Sequence, residues 1–502
     1  APAAAKPLFS EGYKRLVLAL LLAAYTFNFI DRTIISTIGP KIREDLHLTN
    51  NQLGLLGGLW FALLYTLLGI PIARLAERFS RVWIISAALV IWSGFTALCG
   101  AAGSYAVLAA CRFGVGVGEA GCSPPAHSLI SDYFEPKKRA SALSIYSFGI
   151  PLGTMIGAIA GGWLATTFSW RMTFVIVGLP GLAIALLVRI LMREPPRGHA
   201  DVVQSEHPGL AEDVTAHAAE PPDAGSWIGR EISELAAVAK VLFTKWPVVN
   251  MVLGVTIASF GSYGGGAFSS QFFYAGYHLS LAQVGLITGL VGGFSSGVGT
   301  LVGGFLSDRL SQRSPAWYSL TPAFGLAIAT PIYIFAYMQP TMKLAAIVLL
   351  FPGIFHYTYL GPTFGVVQNM VETRRRATAT ALMFFFLNLI ALGGGPPFIG
   401  WLIDQLADYN FAHGGGQGTL GSVLGLFGAH GADFQAQCPG GVAPKTAGHD
   451  LQTLCLATLA NSSRQGVIVS IFFYAWASIH YFLGAIGLKR ALAEARAARG
   501  EA

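Results

Sequence analysis

Ala73-Arg74-Leu75-Ala76-Glu77-Arg78-Phe79-Ser80-Arg81 stands between two long apolar runs, and Gly304-Phe305-Leu306-Ser307-Asp308-Arg309-Leu310-Ser311-Gln312-Arg313 stands between two others, with Asp308 231 positions after Glu77. A second pair behaves alike: Lys137-Lys138-Arg139-Ala140-Ser141-Ala142 reappears as Arg374-Arg375-Arg376-Ala377-Thr378-Ala379, an offset of 237. Two nearly equal offsets argue for a duplicated unit. The flanking runs, each about 20 apolar residues, are long enough to cross a bilayer. Lipid admits only helices or closed barrels, and alternating ten-residue strands are absent, so the spans read as helical.

Composition points the same way. The chain is 53% hydrophobic and 11% charged with mean hydropathy +0.57, where a soluble domain carries about a quarter charged residues. The net charge of +7 lies in short clusters between apolar runs rather than on one polar face, so nucleic acid is not an expected partner. Helices are expected at 15–39, 51–74, 81–103, 105–132, 138–168 and 171–193, then at 244–275, 280–306, 316–338, 341–369, 377–405 and 464–488. The fold class is therefore an all-α membrane protein of twelve transmembrane helices in two pseudo-symmetric six-helix bundles. The bundles are assigned to residues 1–193 and 244–488. Between them 194–243, rich in Pro and charge, is read as a linker whose end, 227–243, has apolar positions at helical spacing and forms a surface helix. Residues 406–463 form a Gly-rich insert before the last helix, and 489–502 a tail. No cleavable signal peptide precedes the first run, so helix 1 is expected to direct insertion.

Lys and Arg concentrate on cytoplasmic flanks. Placing the N-terminus inside gathers Lys14, Arg15, Arg74, Arg78, Arg81, Lys137, Lys138, Arg139, Arg309, Arg313, Arg374, Arg375, Arg376, Lys489 and Arg490 on that side. Both termini and the linker are then cytoplasmic, in a plasma or bacterial inner membrane, and the insert faces outward. There Cys438 and Cys455 are candidates for a disulfide, two free thiols being the alternative. Cys99, Cys111 and Cys122 lie in apolar helices and read as small core residues.

The duplicated halves and basic loops resemble the major facilitator superfamily. Its cytoplasmic signature is Gly, three residues, Asp-Arg, one residue, Gly-Arg. The second copy matches through Gly304, Asp308 and Arg309, while the first departs with Ala73, Glu77 and Ser80. An acid there can meet the positive N-terminus of a helix in the other half while arginines bind exposed carbonyls. Glu77, Arg78, Arg81, Asp308, Arg309 and Arg313 are thus candidates for a conformational latch; the alternative, a positive-inside anchor, leaves the acids unexplained. Helix 5 carries Gly149, Pro151, Gly153, Gly157, Gly161 and Gly162, and helix 11 Gly393-Gly394-Gly395-Pro396-Pro397, which permit close approach and bending.

Four ionisable residues sit deep in apolar helices: Asp31 and Arg32 in helix 1, Arg112 and Glu119 in helix 4. Such charges cost about 2.5–3.5 kcal/mol each on insertion scales, so they face a cavity and pair. At about 1.5 Å rise per residue, Asp31 and Arg112 fall at one depth, and Glu119, Ser123 and His127 continue a polar stripe down helix 4. This favours a proton-linked switch: ionised Asp31 pairs with Arg112 or Arg32, and its protonation frees an arginine for an anionic head group. Glu119 serves as a second acid or resets the arginine. A purely structural buried ion pair is the competing account.

The second half has no matching charges. Tyr263, Phe268, Phe355, His356, Tyr359 and Asn388 are candidate cavity residues there, with Tyr25, Asn28, Tyr65, Ser123 and His127 in the first half. One charged wall and one aromatic wall suit an amphiphile. Asn28-Phe29-Ile30-Asp31-Arg32, Cys111-Arg112-Phe113-Gly114-Val115-Gly116 with Gly118-Glu119-Ala120 and Pro124, and Ser169-Trp170-Arg171-Met172-Thr173-Phe174 resemble the Spinster family. The resemblance implies proton-linked transport of sphingosine-1-phosphate or lysophospholipids, with proton coupling and head-group contact at Asp31, Arg32, Arg112 and Glu119. The rivals are a transporter of small organic anions or drugs and a non-transporting receptor. Walker loop, HExxH, nucleophile elbow and metal-spaced Cys/His clusters are absent, so no enzyme, cofactor or metal is expected. The partners expected are an amphiphilic substrate, protons and the bilayer, with the chain working as a monomer.

Overall fold

The computed structural model describes residues 8–197, 224–371, 375–416 and 433–498, and every described regular element is a helix. α1 (Glu11–Leu46) starts where Ser10 accepts from the Tyr13 N–H and stops where His47 turns left-handed and returns its N–H to the Arg43 carbonyl. α2 (Asn50–Gly57) and α3 (Leu59–Arg78) are one span broken at Gly58. α4 (Arg81–Cys99), α5 (Tyr105–Glu119), α6 (Ser123–Tyr133), α7 (Pro136–Ser147), α8 (Gly149–Thr167) and α9 (Trp170–Leu191) complete the first half. α10 (Ala224–Thr244) leads into α11 (Trp246–Gly276), α12 (Leu281–Gly289), a π-turn and α13 (Ser296–Ser311). α14 (Trp317–Tyr337), α15 (Met342–Leu349), α16 (Pro352–His356) and α17 (Leu360–Asn369) follow, then α18 (Arg376–Phe386), a second π-turn, α19 (Gly393–Ala412), α20 (Phe434–Gln437), α21 (His449–Ala485) and α22 (Leu488–Ala498).

Eleven of these runs are long and apolar enough to cross a membrane. The twelfth span is α5 plus α6, 15 and 11 residues, interrupted at 120–122 by Pro124-Pro125 at the start of α6 and a glycine-rich end to α5. Backbone irregularity at membrane depth survives only where protein covers it, and this break is covered: Gly118 presses on the Trp92 backbone and Gly121 on Ala88.

Each half has its own core. Val17, Phe61, Trp92 and Tyr146 lie in one cluster, and Met251, Phe268, Leu326 and Tyr481 in another. The halves touch at the far end, where α1 stops. There α8 packs on α12, α2 on α19 and α1 on α11. At the near end, where α1 begins, α6 and α7 pack on first-half helices and α17 and α18 on second-half helices. Ile145, Phe148, Leu301 and Phe305 stand exposed at that end. The bundle is closed at the far mouth and open at the near one.

The 406–463 insert departs from the expected Gly-rich loop. The last helix starts at His449, well before 464, and α19 extends to Ala412, so much of the 406–463 insert is helical. Leu451, Cys455 and Leu459 supply an apolar face there, which their polar neighbours mask in a hydropathy average. A disulfide joins Cys438 and Cys455. Arg81 is committed within the first half: it is 1% exposed, donates to Glu194 (2.6 Å) and Ser128 (2.8 Å), and pairs with Asp132. Arg78, Asp308, Arg309 and Arg313 are exposed, and Asp308 accepts a 3.4 Å bond from Tyr318 of its own half. These residues therefore make no described contact between halves here. The side chains of Glu77, Arg74, Lys137 and Arg376, with Arg374, lie outside the described residues.

Partial burial raises the Glu194 pKa, but the Val82 N–H, Arg81 and Ser80 outweigh it and hold the carboxyl below its usual range. Its contribution is thus present above the ordinary carboxylate range and lost as pH falls through the lowered value. Arg81→Ala removes the cation on which Asp132 and Glu194 converge and should cost about 3 kcal/mol, read as a lower midpoint of thermal unfolding in detergent at pH 7. An unchanged midpoint refutes this.

Candidate functional site

The charged centre starts from glycines. Gly114, Gly116 and Gly118 lie along α5, and a Cβ on Gly116 would sit 2.6 Å from the Phe61 carbonyl, one on Gly118 2.5 Å from the Trp92 nitrogen. Small residues let α5 nest against α3 and α4 at this distance. That approach brings Arg112 and Glu119 within reach of α1.

Two ion pairs result. Arg112 Nη1 lies 3.1 Å from Asp31 Oδ2, and Thr96 donates to Asp31 Oδ1 at 2.7 Å; Asp31 and Arg112 are 2% and 1% exposed. Arg112 also donates to the Leu56 carbonyl at 3.3 Å and lies over the Phe61 ring. Arg32 Nε donates to Glu119 Oε2 at 2.7 Å, and its guanidinium lies 4.5–5.1 Å from the rings of Tyr65, Phe61 and Phe29. Aromatic faces stabilise a cation without neutralising it, so Arg32 keeps its charge while its head is held in place. The Arg32 side chain is 17% exposed and Glu119 fully buried, with Glu119 Oε1 lacking a hydrogen-bond partner. Buried charges with spare hydrogen-bonding capacity are costly.

The remaining candidates divide. Tyr25 stacks on Tyr146 at 4.3 Å, and the His127 ring meets Tyr146 edge-on. His127 is exposed, and Tyr65 and Ser123 are half-buried. Asn28 is buried with an unpartnered oxygen. Across the bundle Tyr263 is 40% exposed. Phe355 is exposed and Asn388 half-buried in the second π-turn. Phe268, His356 and Tyr359 are held in packing within the second half: Phe268 is fully buried in the core, Tyr359 bonds Ser259, and His356 is caged by Tyr333, Tyr357 and Tyr474. Helix periodicity cannot tell an inward aromatic from a core one, and here packing among α11, α16 and α21 decides.

A network absent from the sequence reading closes the far mouth. Asp404 on α19 accepts from the Asn50 N–H (2.9 Å), the Asn50 side chain (2.7 Å) and the Asn51 N–H (2.8 Å), so an acid of the second half caps α2 of the first. Thr49-Asn50-Asn51-Gln52 carries a capping box, which marks the start of α2. Nothing local marks Asp404 as its partner.

A helical bundle whose halves meet at one mouth, with ion pairs buried between its first and fourth spans, is the frame of a membrane carrier. The chain belongs to the Major Facilitator Superfamily, whose pattern it matches over residues 21–396. It is 30% identical to an MFS-type efflux pump of Mycolicibacterium smegmatis over 76% of this chain and 83% of that protein. It is 28% identical to protein spinster homolog 1 of Homo sapiens, over 79% and 74%. Among solved structures it is similar to a bacterial homologue of the human lysosomal transporter Spinster in an inward-facing, unoccupied conformation, with TM-score 0.78 and 31% identity over 97% of this chain and 99% of that one. The protein is a facilitator-superfamily transporter related to Spinster.

Proposed function

We propose that this protein is a proton-coupled, alternating-access transporter of an amphiphilic, lipid-like solute of the lysophospholipid or sphingosine-1-phosphate class, in a cytoplasmic membrane with both termini inside. The two buried ion pairs carry the reading. Asp31 and Glu119 are the proton-binding groups, and each restrains an arginine that an anionic head group would need. Protonating Asp31 releases Arg112 and protonating Glu119 releases Arg32, so proton binding on the carboxylate and head-group capture by the arginine are linked within the same ion pair. Exposed Tyr263 and Phe355 supply an apolar wall for the tail. With the near end inside, the open mouth faces the cytoplasm, and the Glu77 and Asp308 loops are the latch that closes it.

Proton flux into liposomes on adding a lysophospholipid tests this. The parent should respond and Glu119→Gln should respond at least about tenfold less, since a one-unit pH gradient is worth about a factor of ten per proton. Equal flux in both removes Glu119 from coupling. Similarity to an efflux pump supports a second reading, a transporter of drugs or small organic anions. Competition between a lysolipid and a sugar acid for uptake separates the two.

A further inference from the structure

At the far mouth one amide holds four elements together. Asn50, 1% exposed, donates to Asp404 of α19, and its oxygen accepts from Arg43 of α1 (3.3 Å) and Gln271 of α11 (2.8 Å). Gln271 also donates to Ser463 of α21 at 2.8 Å. Both donor and acceptor sides of the Asn50 amide are engaged, and its partners come from both halves. Arg43 is itself 1% exposed with its Nε unpartnered, so it relies on Asn50 and on what covers it.

The cover is the insert. The turn at Pro439–Gly441 runs over the end of α1 with Gly440 and Gly441 at φ 66° and 81°. A Cβ on Gly441 would collide with the Arg43 guanidinium, and one on Gly440 would lie 2.5 Å from the Arg43 carbonyl. Gln435 donates to the His47 carbonyl at 2.9 Å. On its other side the insert is anchored to the second half through Cys438–Cys455 and the bond from the Phe434 N–H to Asp408. It therefore bridges the halves across the mouth that must open in the other conformation.

We propose that Asn50, Arg43, Gln271 and Asp404 form the gate of the far mouth, positioning residues for the transport cycle, and that residues 434–441 are a strap that must lift off Arg43 before the gate parts. The idea rests on the chain's alternating access and not on its cargo or on proton coupling. Opening separates α2 from α19 and α11, and α1 from the strap, so the Asn50–Asp404 and Asn50–Gln271 bonds and the strap's hold on α1 exist in one conformation only. An interaction made in one state alone shifts the balance by its full strength.

Pulsed electron resonance distances between spin labels at exposed Thr167 and Lys343, one on each half, read the mouth directly and need no substrate. Asn50→Ala and Asp404→Asn should each raise the far-open fraction at least tenfold over the labelled parent. Gly441→Ala, which pushes on Arg43 and strains a left-handed turn, should raise it too while leaving the four gate residues intact. Distance distributions unchanged in Asp404→Asn and Gly441→Ala, with both variants monodisperse, overturn the proposal. If Asn50→Ala fails to fold, the near-isosteric Asp404→Asn decides. Transport of any one cargo can fail without touching this result.

Discussion

Asp31→Asn is expected to leave a folded protein that moves substrate down its own gradient but ignores an imposed pH gradient. Asn preserves the shape and can still accept from Thr96, which donates to Asp31 Oδ1 at 2.7 Å. It cannot carry the charge that faces Arg112 at 3.1 Å. With Arg112 1% exposed, removing one partner of such a pair costs about 3–5 kcal/mol when nothing replaces it. That cost falls on the empty protein and is relieved whenever an anion enters, so apparent affinity for an anionic head group should rise as pH sensitivity disappears. The measurement is uptake in reconstituted vesicles with and without a one-unit pH gradient. The parent should respond by up to about tenfold per coupled proton, and the variant by none. A variant that keeps the parent's ratio removes Asp31 from the coupling path.

The second large effect is steric. Gly162→Leu places a side chain where α8 meets α12. A Cβ there would collide with the Leu281 carbonyl and come within 3.1 Å of the Gly285 Cα. Backbone cannot swing aside as a flexible side chain does, so the far mouth cannot close as it does here, and the closed state loses more than the 1–3 kcal/mol typical of overpacking. A cysteine at His127, exposed in the open near mouth, reports the outcome. The native Cys99, Cys111 and Cys122 are buried and contribute little background. Maleimide labelling of His127→Cys should drop at least about tenfold when Gly162→Leu is added, as about 1.4 kcal/mol is tenfold in an equilibrium. Undiminished labelling means that the helices part elsewhere to accommodate the leucine, and the crossing does not control the conformation.

How much of this could be read in the chain itself differs from residue to residue. Hydropathy and the repeated acid-Arg loops indicate the spans and their duplication, because burial in lipid acts on every run of about 20 residues locally. They fail at 449–463, where the helix is amphipathic and its apolar stripe is diluted by Gln, Thr, Asn and Ser. The four charges on α1 and α5 stand out because nothing else in an apolar span explains them. Their pairing does not: from the chain, Asp31 could meet either arginine. Thr96, which completes the Asp31 site, is one ordinary threonine among many.

The sequence by itself determined that this chain crosses a membrane many times in two related halves, and that its charge is spent on the first and fourth spans. Those facts follow from the cost of polar groups in hydrocarbon, which each segment meets alone. Only the tertiary structure decided that Arg112 takes Asp31 across 81 positions, Arg32 takes Glu119 across 87, and Asn50 meets Asp404 across 354. It also decided which mouth is shut. Such partners are set by where helices cross, and crossings depend on glycine-to-backbone contacts such as those of Gly116, Gly118 and Gly162, whose partners lie too far along the chain for any local pattern to record.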